Sequence, residues 1–308
     1  MRLAQSGGAT RSGDGCVGAF PALAAMVGRR SDPVPGAIVM SSRSAAFPWY
    51  DSPWLASFVR AKEFMRAHHP GRLEEFVRSF DVLRTDPDFK TKHVRDMISP
   101  EDHARLKALT VAEAGSPREK HEMLRFGRLI VHDAELCTEL QARLTDRISG
   151  LVGEPVEPCY NFLSLYNNLG VCAVHMDAPS AKWTFDYCIE QSSPWPIHLS
   201  QVRPWPDEWR HDGGDWNQAI RNDPANRFEP FTLHEGEAIV FGGSSQWHYR
   251  DRIAQRTATN FCHLVFFHYV PAGTQHLTDP GRWAEHFGIP ALAEMIVEAK
   301  EADPNVIA

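Results

Sequence analysis

The sequence lacks the features that would place the protein in a membrane or on a nucleic acid. Its 308 residues contain no apolar run of about eighteen residues, so no membrane-spanning helix is predicted. The N-terminus has no apolar segment of the kind that secretory leaders carry, and a cytoplasmic location is therefore expected. The net charge of −7 argues against nucleic acid or an anionic membrane surface as the main partner.

Paired cysteines and internal repeats are also missing. The six cysteines are scattered, and none of them forms a Cys-x-x-Cys motif or the regular spacing of a disulfide framework. This pattern is typical of reduced, mostly buried thiols in a cytosolic protein. The fold is therefore expected to depend on a hydrophobic core, which a chain of this length can form.

The chain changes character along its length. Residues 1–45 are rich in Gly, Ser, Ala and Arg without periodicity, which predicts a disordered or loose arm. The remainder, 46–308, is predicted to form a single domain. Its first part, about 46–153, is predicted to be helical. Ser99 followed by a proline is one such signal, in which the serine caps the helix and the proline is its first residue. A further helix with an apolar stripe is predicted after Asp133.

The second half alternates between apolar and polar residues, which is the period of a half-buried strand. Strand candidates lie at 160–166, 171–175, 183–190, 196–202, 230–234, 237–241 and 259–270. Short strands separated by Gly- and Pro-rich turns predict an antiparallel sandwich or barrel, and eight of them would make a jelly roll. The expected fold is thus mainly β, with a jelly-roll core over about 155–272, helical support before it, and a C-terminal helix over about 281–302.

An insertion interrupts the strands at about 204–229. It contains several acids and the tryptophans Trp205 and Trp209. A long aromatic insertion between strands is more often a lid or binding loop than an idle connection. The alternative is a surface flap whose tryptophans pack on the outside of the barrel.

His175, Asp177 and His248 form the most informative pattern in the chain. Residues two positions apart on a strand point to the same side, so His175 and Asp177 can converge on one ion. His248 follows a strand and a Gly-Gly turn that can bring it back toward them. Two imidazoles and one carboxylate are the facial triad that holds ferrous iron and leaves three positions open, although zinc accepts the same set.

The other histidines weaken this pattern when it is taken alone. The chain has 15 histidines, so a His-x-Asp tripeptide arises easily by chance. Its weight comes from its place at the end of an apolar strand. Three further histidines lie in strand candidates and are interpreted as wall or exterior residues: His198, His263 and His268.

The stretch from Pro158 to about Gly273 resembles the iron(II)/2-oxoglutarate-dependent oxygenases, in particular their prolyl-hydroxylase-like branch. The phrases that carry the resemblance occur in this order: Pro158-x-Tyr160, Tyr166, His175-x-Asp177, Trp195-Pro196, Gly236 to Val240, Trp247-His248-Tyr249-Arg250 and Val265 to Val270. Together they cover a little over a third of the chain, and the ordered set is far more specific than the triad alone.

The resemblance implies a double-stranded β-helix (a cupin-like jelly roll) in which the triad holds Fe(II) and 2-oxoglutarate chelates the iron. It also implies a basic side chain after the second histidine that binds the far carboxylate of 2-oxoglutarate. A planar guanidinium suits this task because it binds a carboxylate with two parallel hydrogen bonds. The candidates are Arg250, Arg252 and Arg256. Arg256 has the more usual offset, and Arg250 shares the strand face of His248.

Several aromatic residues are further candidates for the site. Tyr160 and Tyr166 can donate hydroxyl groups to the cosubstrate or substrate, or else belong to the core. The predicted walls of a substrate pocket are four tryptophans: Trp183, Trp247, Trp205 and Trp209.

The sequence departs from the oxygenases that it resembles just after Asp177. They commonly carry a basic residue after the aspartate, whereas this chain continues with Ala178 and a proline, so peptide-prolyl substrates are not expected. The retained Asp177 argues against a halogenase.

The predicted function is oxidation of a small organic molecule, such as an amino-acid derivative or secondary metabolite, with dioxygen as co-reactant. Hydroxylation is the default outcome, and desaturation or cyclisation can follow from the same chemistry. The alternatives are a cupin-like metalloenzyme without 2-oxoglutarate and a non-catalytic jelly-roll binding protein. The sequence does not predict an oligomeric state.

Overall fold

The computed structural model describes residues 52–115, 120–205, 216–254 and 259–297. These belong to a compact unit that spans Arg43–Ala308. The predicted N-terminal arm lies outside the described residues. No helix within the described ranges is long and apolar enough to cross a membrane.

Helices dominate the chain before the main sheets. They are α1 (Ser52–His68), α2 (Leu73–Ser79), α3 (Pro100–Glu113), α4 (Lys120–Phe126) and α5 (Glu135–Val152). The Ser99 side chain caps α3 by accepting a hydrogen bond from the Asp102 backbone N–H. The helix predicted after Asp133 is confirmed as α5, and it ends at Gly153, whose φ of 81° is left-handed.

The described residues form ten strands: β1 (Lys92–Val94), β2 (Arg128–His132), β3 (Val156–Tyr166), β4 (Cys172–His175), β5 (Trp183–Gln191), β6 (Ile197–Val202), β7 (Phe228–Phe231), β8 (Ala238–Phe241), β9 (Gln246–Arg250) and β10 (Cys262–Pro271). A six-stranded sheet has the order β1-β8-β5-β10-β3-β2, and a four-stranded sheet has the order β4-β9-β6-β7. All these pairings are antiparallel, which confirms the predicted strand-rich, antiparallel architecture.

The two sheets lie face to face around an inner core. Tyr166 and Leu264 of the six-stranded sheet pack there against Trp195, Ile197 and Leu199 from the other side. The opposite face of the six-stranded sheet is covered by α3 and α5. The opposite face of the four-stranded sheet is covered by α1, α2 and the C-terminal helices. The space between the sheets is therefore the interior that side chains of both sheets line.

Three strands were not expected from the sequence. β1 and β2 lie in the part predicted to be helical, and β9, which contains His248, follows the Gly-Gly turn and is not among the strand candidates. β1 and β2 are short, and each pairs with a strand far away in the chain, Lys92 with Val240 and Arg128 with Tyr166. Such strands have too few residues to show a local pattern. Their stability comes from pairing with a strand that is distant in the sequence.

The C-terminal segment also differs from the expectation of one long helix. The described part contains α7 (Gln275–Thr278), α8 (Trp283–Phe287) and a 3-10 turn at Pro290–Met295. Gly288 ends α8 with a φ of 62°, and the proline that follows starts the next turn. Residues 298–308 lie outside the described residues.

The described part of the insertion packs on the outside of the sheets. Trp205 contacts Trp54 of α1, with ring centroids 5.3 Å apart. Ile220, from α6 (Trp216–Asn222), joins the same cluster against the four-stranded sheet. This arrangement matches the flap alternative. Residues 206–215, with Trp209, lie outside the described residues.

Candidate metal centre

The three residues predicted to bind a metal converge on one point. His175 of β4 and His248 of β9 are direct cross-strand partners, and their ring centroids lie 4.2 Å apart. Asp177 follows β4 and places its Oδ1 atom 3.6 Å from the Nε2 atom of each histidine. One ligand atom from each residue lies within 4.8 Å of the others. Two imidazoles and one carboxylate on one side of an ion form a facial ligand set with open positions opposite.

Backbone carbonyls hold both imidazoles in the orientation that a metal ligand needs. The Nδ1 atom of His175 donates a hydrogen bond of 2.8 Å to the carbonyl oxygen of Ala173. In the same way, Nδ1 of His248 donates to the carbonyl oxygen of Gln246 at 2.9 Å. Nδ1 therefore keeps its proton in each ring, and Nε2, the atom that faces Asp177, is the nitrogen that would bind a metal.

Asp177 is positioned through its backbone and through its second oxygen. Its N–H donates to the carbonyl oxygen of Gly243 at 2.9 Å. The Thr184 hydroxyl donates to Oδ2 at 2.9 Å, which leaves Oδ1 directed at the histidines. Burial by itself would raise the pKa of Asp177, but the neighbouring His248 and His175 hold that pKa well below its ordinary value. The ligand set is therefore an ionised carboxylate with two imidazoles.

Replacing Thr184 by valine tests this positioning. The side chain is buried and valine has nearly the same shape, so the change removes one hydrogen bond to Asp177. Loss of such an outer partner is expected to weaken metal binding about 10- to 100-fold. Titration of the metal-free protein with Fe(II) or Zn(II) measures the affinity. Thr184→Ser keeps the hydroxyl and is expected to bind like the parent; equal affinity of the valine variant would contradict the role.

Gly243 leaves the space that Asp177 occupies. A Cβ atom at this position would lie 2.5 Å from Oδ2 of Asp177 and 2.6 Å from the carbonyl oxygen of Ala181, both too close. Gly243→Ala is therefore expected to displace the carboxylate and to weaken metal binding at least as much as the loss of Thr184, about 10- to 100-fold in the same titration. Gly150→Ala is the control, because a Cβ atom there meets open space. Unchanged metal affinity in Gly243→Ala would refute the prediction.

An aromatic wall lines the interior next to the metal ligands. Tyr160 stacks on His268, with ring centroids 4.1 Å apart, and Phe162 stacks on Phe266 at 5.0 Å. Tyr160, Phe162 and Phe266 are partly exposed, although they lie on the inner face of the six-stranded sheet. His268 pairs across the sheet with Thr184, which places this wall beside Asp177. The arrangement can accommodate an apolar group near the metal.

Arg250 lies on the inner face, as its spacing from His248 predicts. Its Nη2 atom is 2.5 Å from Oδ2 of Asp186, and its Nη1 donates to the carbonyl oxygen of Trp195 at 2.6 Å. Burial raises the pKa of Asp186, and the opposing charge of Arg250 offsets only part of that increase. The positive charge of Arg250 is thus already balanced by the buried carboxylate of Asp186. Arg252 donates to the carbonyl oxygen of Leu169, and Arg256 lies outside the described residues.

Tyr166 of β3 also lies in the core between the two sheets. Burial raises its pKa to about 12, so the phenol is neutral, and it accepts a hydrogen bond of 3.0 Å from Arg128. The Arg128 side chain is buried and pairs with Glu122. Arg128 was missed in the sequence because it lies on a strand, β2, that no local pattern indicates.

The structure places the predicted wall tryptophans that it describes outside the space between the two sheets. Trp183 packs in the core between the six-stranded sheet and the helices, and its Nε1 donates to Glu154. Trp247 and Trp205 lie in the core on the outer side of the four-stranded sheet. Trp209 lies outside the described residues. Strand alternation explains the outcome for Trp247, because neighbours of His248 on β9 point to the opposite face.

The same alternation would have identified the residues that do line the interior. Thr184 and Asp186 lie on the inner face of β5, whereas Trp183 lies on the opposite face. On β10, the inner residues include Phe266 and also His268, which the sequence analysis interpreted as a wall or exterior residue. The signal was present in the sequence, but it required knowing which face of each strand is the inner one.

No model of a known protein family matches this sequence, and no curated protein matches it either. Several solved structures resemble it. AviO1 from Streptomyces viridochromogenes is 14% identical with a TM-score of 0.44, over 64% of this chain and 95% of that one. SnoN, a non-haem α-ketoglutarate-dependent epimerase from nogalamycin biosynthesis, is 14% identical with a TM-score of 0.45, over 68% and 89%.

HygX from Streptomyces hygroscopicus, in a structure with nickel, 2-oxoglutarate and hygromycin B bound, is 10% identical with a TM-score of 0.45. The match covers 64% of this chain and 86% of that one. At such low identities and scores, no residue role is carried over from these proteins to this chain.

Proposed function

We propose that this chain is an iron(II)- and 2-oxoglutarate-dependent oxygenase built on a double-stranded β-helix. The observation that carries the proposal is the convergence of His175, Asp177 and His248, with both imidazoles oriented by backbone carbonyls. An ion held there would meet protein on one side and the interior between the sheets on the other. This is the geometry of a catalytic rather than a structural metal site, which keeps open positions for exchangeable ligands.

The ligand set fits ferrous iron. When bound, iron and 2-oxoglutarate supply the oxidation: dioxygen is reduced, 2-oxoglutarate becomes succinate and carbon dioxide, and a C–H bond of the substrate is hydroxylated. The protein contributes the positions of the groups. His175 and His248 present their Nε2 atoms, Asp177 presents an ionised Oδ1, and Thr184 keeps that oxygen turned inward.

Arg256 is the residue proposed to bind the far carboxylate of 2-oxoglutarate. Its offset from His248 is the usual one among the oxygenases that the sequence resembles. Arg250 is the weaker candidate because both of its terminal nitrogens are engaged and Asp186 already balances its charge. Tyr160 and Tyr166 line the interior and are proposed to contact the bound small molecules.

The substrate is proposed to be a small organic molecule, such as an amino-acid derivative or secondary metabolite, with hydroxylation as the outcome. The partly exposed rings of Tyr160, Phe162 and Phe266 support this class, since they offer apolar surface beside the metal ligands. A molecule that packs on this wall would hold a carbon atom close to the ion.

An anaerobic titration tests the proposal. Adding Fe(II) and then 2-oxoglutarate to the metal-free protein is expected to produce the weak visible charge-transfer band of the iron chelate. A protein that binds Fe(II) or Zn(II) but never develops the band would be a metalloenzyme of the cupin kind without 2-oxoglutarate. A protein that binds neither metal would be a binding protein. Either result would overturn the proposal.

Arg256→Ala is expected to weaken the binding of 2-oxoglutarate more than 10-fold, while the binding of Fe(II) stays unchanged. A charge-assisted, two-point hydrogen bond to the carboxylate would be lost, whereas the metal ligands would not be touched. The intensity of the charge-transfer band at increasing 2-oxoglutarate concentrations measures the affinity. Arg252→Ala is the matched control, since Arg252 donates to the backbone of Leu169. Equal 2-oxoglutarate affinity of Arg256→Ala and the parent would show that another residue binds the carboxylate.

A further inference from the structure

The short helix α6 of the insertion contacts both strands that carry the histidine ligands. Its Asn217 forms a hydrogen bond with the residue just before His175 on β4. Its Arg221 packs on the residue just after His248 on β9. One helix outside the sheets is thus in contact with the immediate neighbour of each histidine ligand.

The strand β4 has incomplete support from its own sheet. It is the edge strand of the four-stranded sheet, and among the described residues it pairs only with β9. This pairing is irregular, because the register shifts between Cys172 and His175 and two residues of β4 face only Tyr249 of β9. Such an irregularity leaves backbone groups unpaired and lets the strand bend. The bend lies directly before the ligand His175.

Asn217 satisfies the backbone within this irregular stretch. Its Oδ1 atom accepts a hydrogen bond of 3.3 Å from the N–H of Val174. The residue before it, Ala173, provides the carbonyl oxygen that orients the His175 ring. Both groups belong to the same short stretch, so a shift of the backbone at Val174 would also turn the imidazole. Ile220 of α6 is buried in the same outer cluster as Val174, which packs the helix against the strand.

Arg221 makes the corresponding contact with β9. Its guanidinium carbon lies 4.0 Å from the centre of the Tyr249 ring, and its Nη2 atom lies 2.9 Å from a carboxylate oxygen of Asp251. The side chains of Arg221 and Asp251 are 34% and 57% exposed, so the ion pair alone contributes little. The packing on Tyr249, next to His248, is the stronger part of this contact.

We propose that α6 holds the two histidine-bearing strands at the spacing that metal binding requires, with Asn217 as the main positioning residue. The inference deepens the proposed function and rests on it in treating His175, Asp177 and His248 as a metal site. It gives the insertion a role at the metal, exerted from outside the sheets through the backbone of β4. The metal alone is a sufficient probe, so neither 2-oxoglutarate nor turnover is needed.

Anaerobic titration of the metal-free, full-length protein with Co(II) measures both affinity and geometry, because the visible absorption of bound Co(II) depends on the number and arrangement of its ligands. Asn217→Leu removes the acceptor of the Val174 N–H. It is expected to weaken Co(II) binding about 10-fold, the lower end of the loss for an outer partner of a metal ligand, and to change the absorption spectrum. Asn217→Asp keeps an accepting oxygen and is expected to restore the parent affinity and spectrum.

The coupling between α6 and the metal site must act in both directions. If the docked helix favours the metal-binding geometry, bound metal favours the docked helix by the same factor. The backbone amides of α6 are therefore expected to exchange with deuterium about 10-fold more slowly in the Co(II)-bound parent than in the metal-free parent. In Asn217→Leu saturated with Co(II), this additional protection is expected to disappear.

Asn222→Leu is the matched control, because it makes the same substitution at an exposed residue of the same helix. It is expected to keep the affinity and the spectrum of the parent. Arg221→Leu is expected to weaken Co(II) binding only about threefold, since its contact is partly exposed. If Asn217→Leu does not fold, Asn217→Ala serves as the variant without the acceptor.

The outcomes separate this inference from the proposed function. Equal Co(II) affinity and equal spectra in the parent and Asn217→Leu would overturn the role of α6 and leave the metal site intact. A loss that Asn222→Leu reproduces, or that Asn217→Asp does not recover, would also overturn it. A parent protein that binds no Co(II) would overturn the metal site and the proposed function with it. A loss recovered in Asn217→Asp, together with metal-dependent protection of α6 in the parent alone, would support the inference.

Discussion

His175→Ala is expected to abolish the charge-transfer band that Fe(II) and 2-oxoglutarate give with the parent protein. The substitution removes one of two imidazoles and leaves Asp177 beside a single histidine, with too few ligands to hold the ion in place. Loss of an outer partner of a metal ligand costs about 10- to 100-fold in affinity, so loss of a ligand itself is expected to exceed 100-fold. His248→Ala is expected to behave in the same way. Calorimetric titration with Fe(II) under anaerobic conditions gives the affinity.

The control for these variants is His198→Ala. His198 lies on β6 in the same sheet, but it stacks on Tyr249 with centroids 4.5 Å apart, on the face opposite the metal ligands. It is expected to bind iron like the parent. Retention of the band in His175→Ala or His248→Ala, with unchanged Fe(II) affinity, would contradict the metal site and with it the proposed function.

Arg250→Ala is expected to destabilise the fold by about 3–5 kcal/mol, the usual cost of breaking a buried ion pair from one side. The side chains of Arg250 and Asp186 are 4% and 0% exposed, so the alanine variant leaves an uncompensated carboxylate in the interior. Urea-induced unfolding followed by circular dichroism measures the difference in the free energy of unfolding. Arg252→Ala, which changes a more exposed arginine on the same segment, is expected to cost much less.

The pH dependence of this loss has a defined sign. In Arg250→Ala, burial raises the pKa of Asp186 in the folded chain above its value in the unfolded chain. Lowering the pH then favours the folded state, and the stability deficit relative to the parent is expected to shrink from pH 7 toward pH 5. Replacing both partners by apolar residues, Arg250→Met with Asp186→Leu, is expected to recover most of the stability. A single-variant loss below about 1 kcal/mol would mean that the pair is solvated, as surface ion pairs are.

Arg250→Ala also bears on the choice between the two arginines. If Arg256 binds 2-oxoglutarate, the 2-oxoglutarate affinity of folded Arg250→Ala should remain near that of the parent. A variant that keeps its stability but loses 2-oxoglutarate affinity would instead identify Arg250 as the carboxylate-binding residue.

The metal ligands could be predicted from the sequence because the pattern that defines them is local. His175 and Asp177 are two positions apart at the end of an apolar strand, and this spacing by itself makes them point in one direction. The sequence indicated the histidine that completes the set through a Gly-Gly turn and then through the resemblance, but its place opposite His175 depends on the pairing of β4 with β9.

The tryptophan walls could not be predicted by residue type. Large aromatic residues are common in substrate pockets, but they are equally common in the cores that hold helices against sheets. Trp183 and Trp247 belong to such cores. The metal ligands identify the inner face of the strands that carry them. Which residues of the other strands share that inner face is known only from the assembled sheets.

The sequence by itself determined the strand rhythm, the helical support and the local part of a metal site, since each depends on residues that are neighbours in the chain. The tertiary structure decided what surrounds that site. Arg128 reaches Tyr166, Arg250 reaches Asp186, and His268 comes beside Thr184 because strands far apart in the chain pair or face each other. Side chains brought together in this way share a low-dielectric interior, where each charge or lone pair needs a partner. These partners depend on strand pairing and sheet packing, which no local pattern specifies.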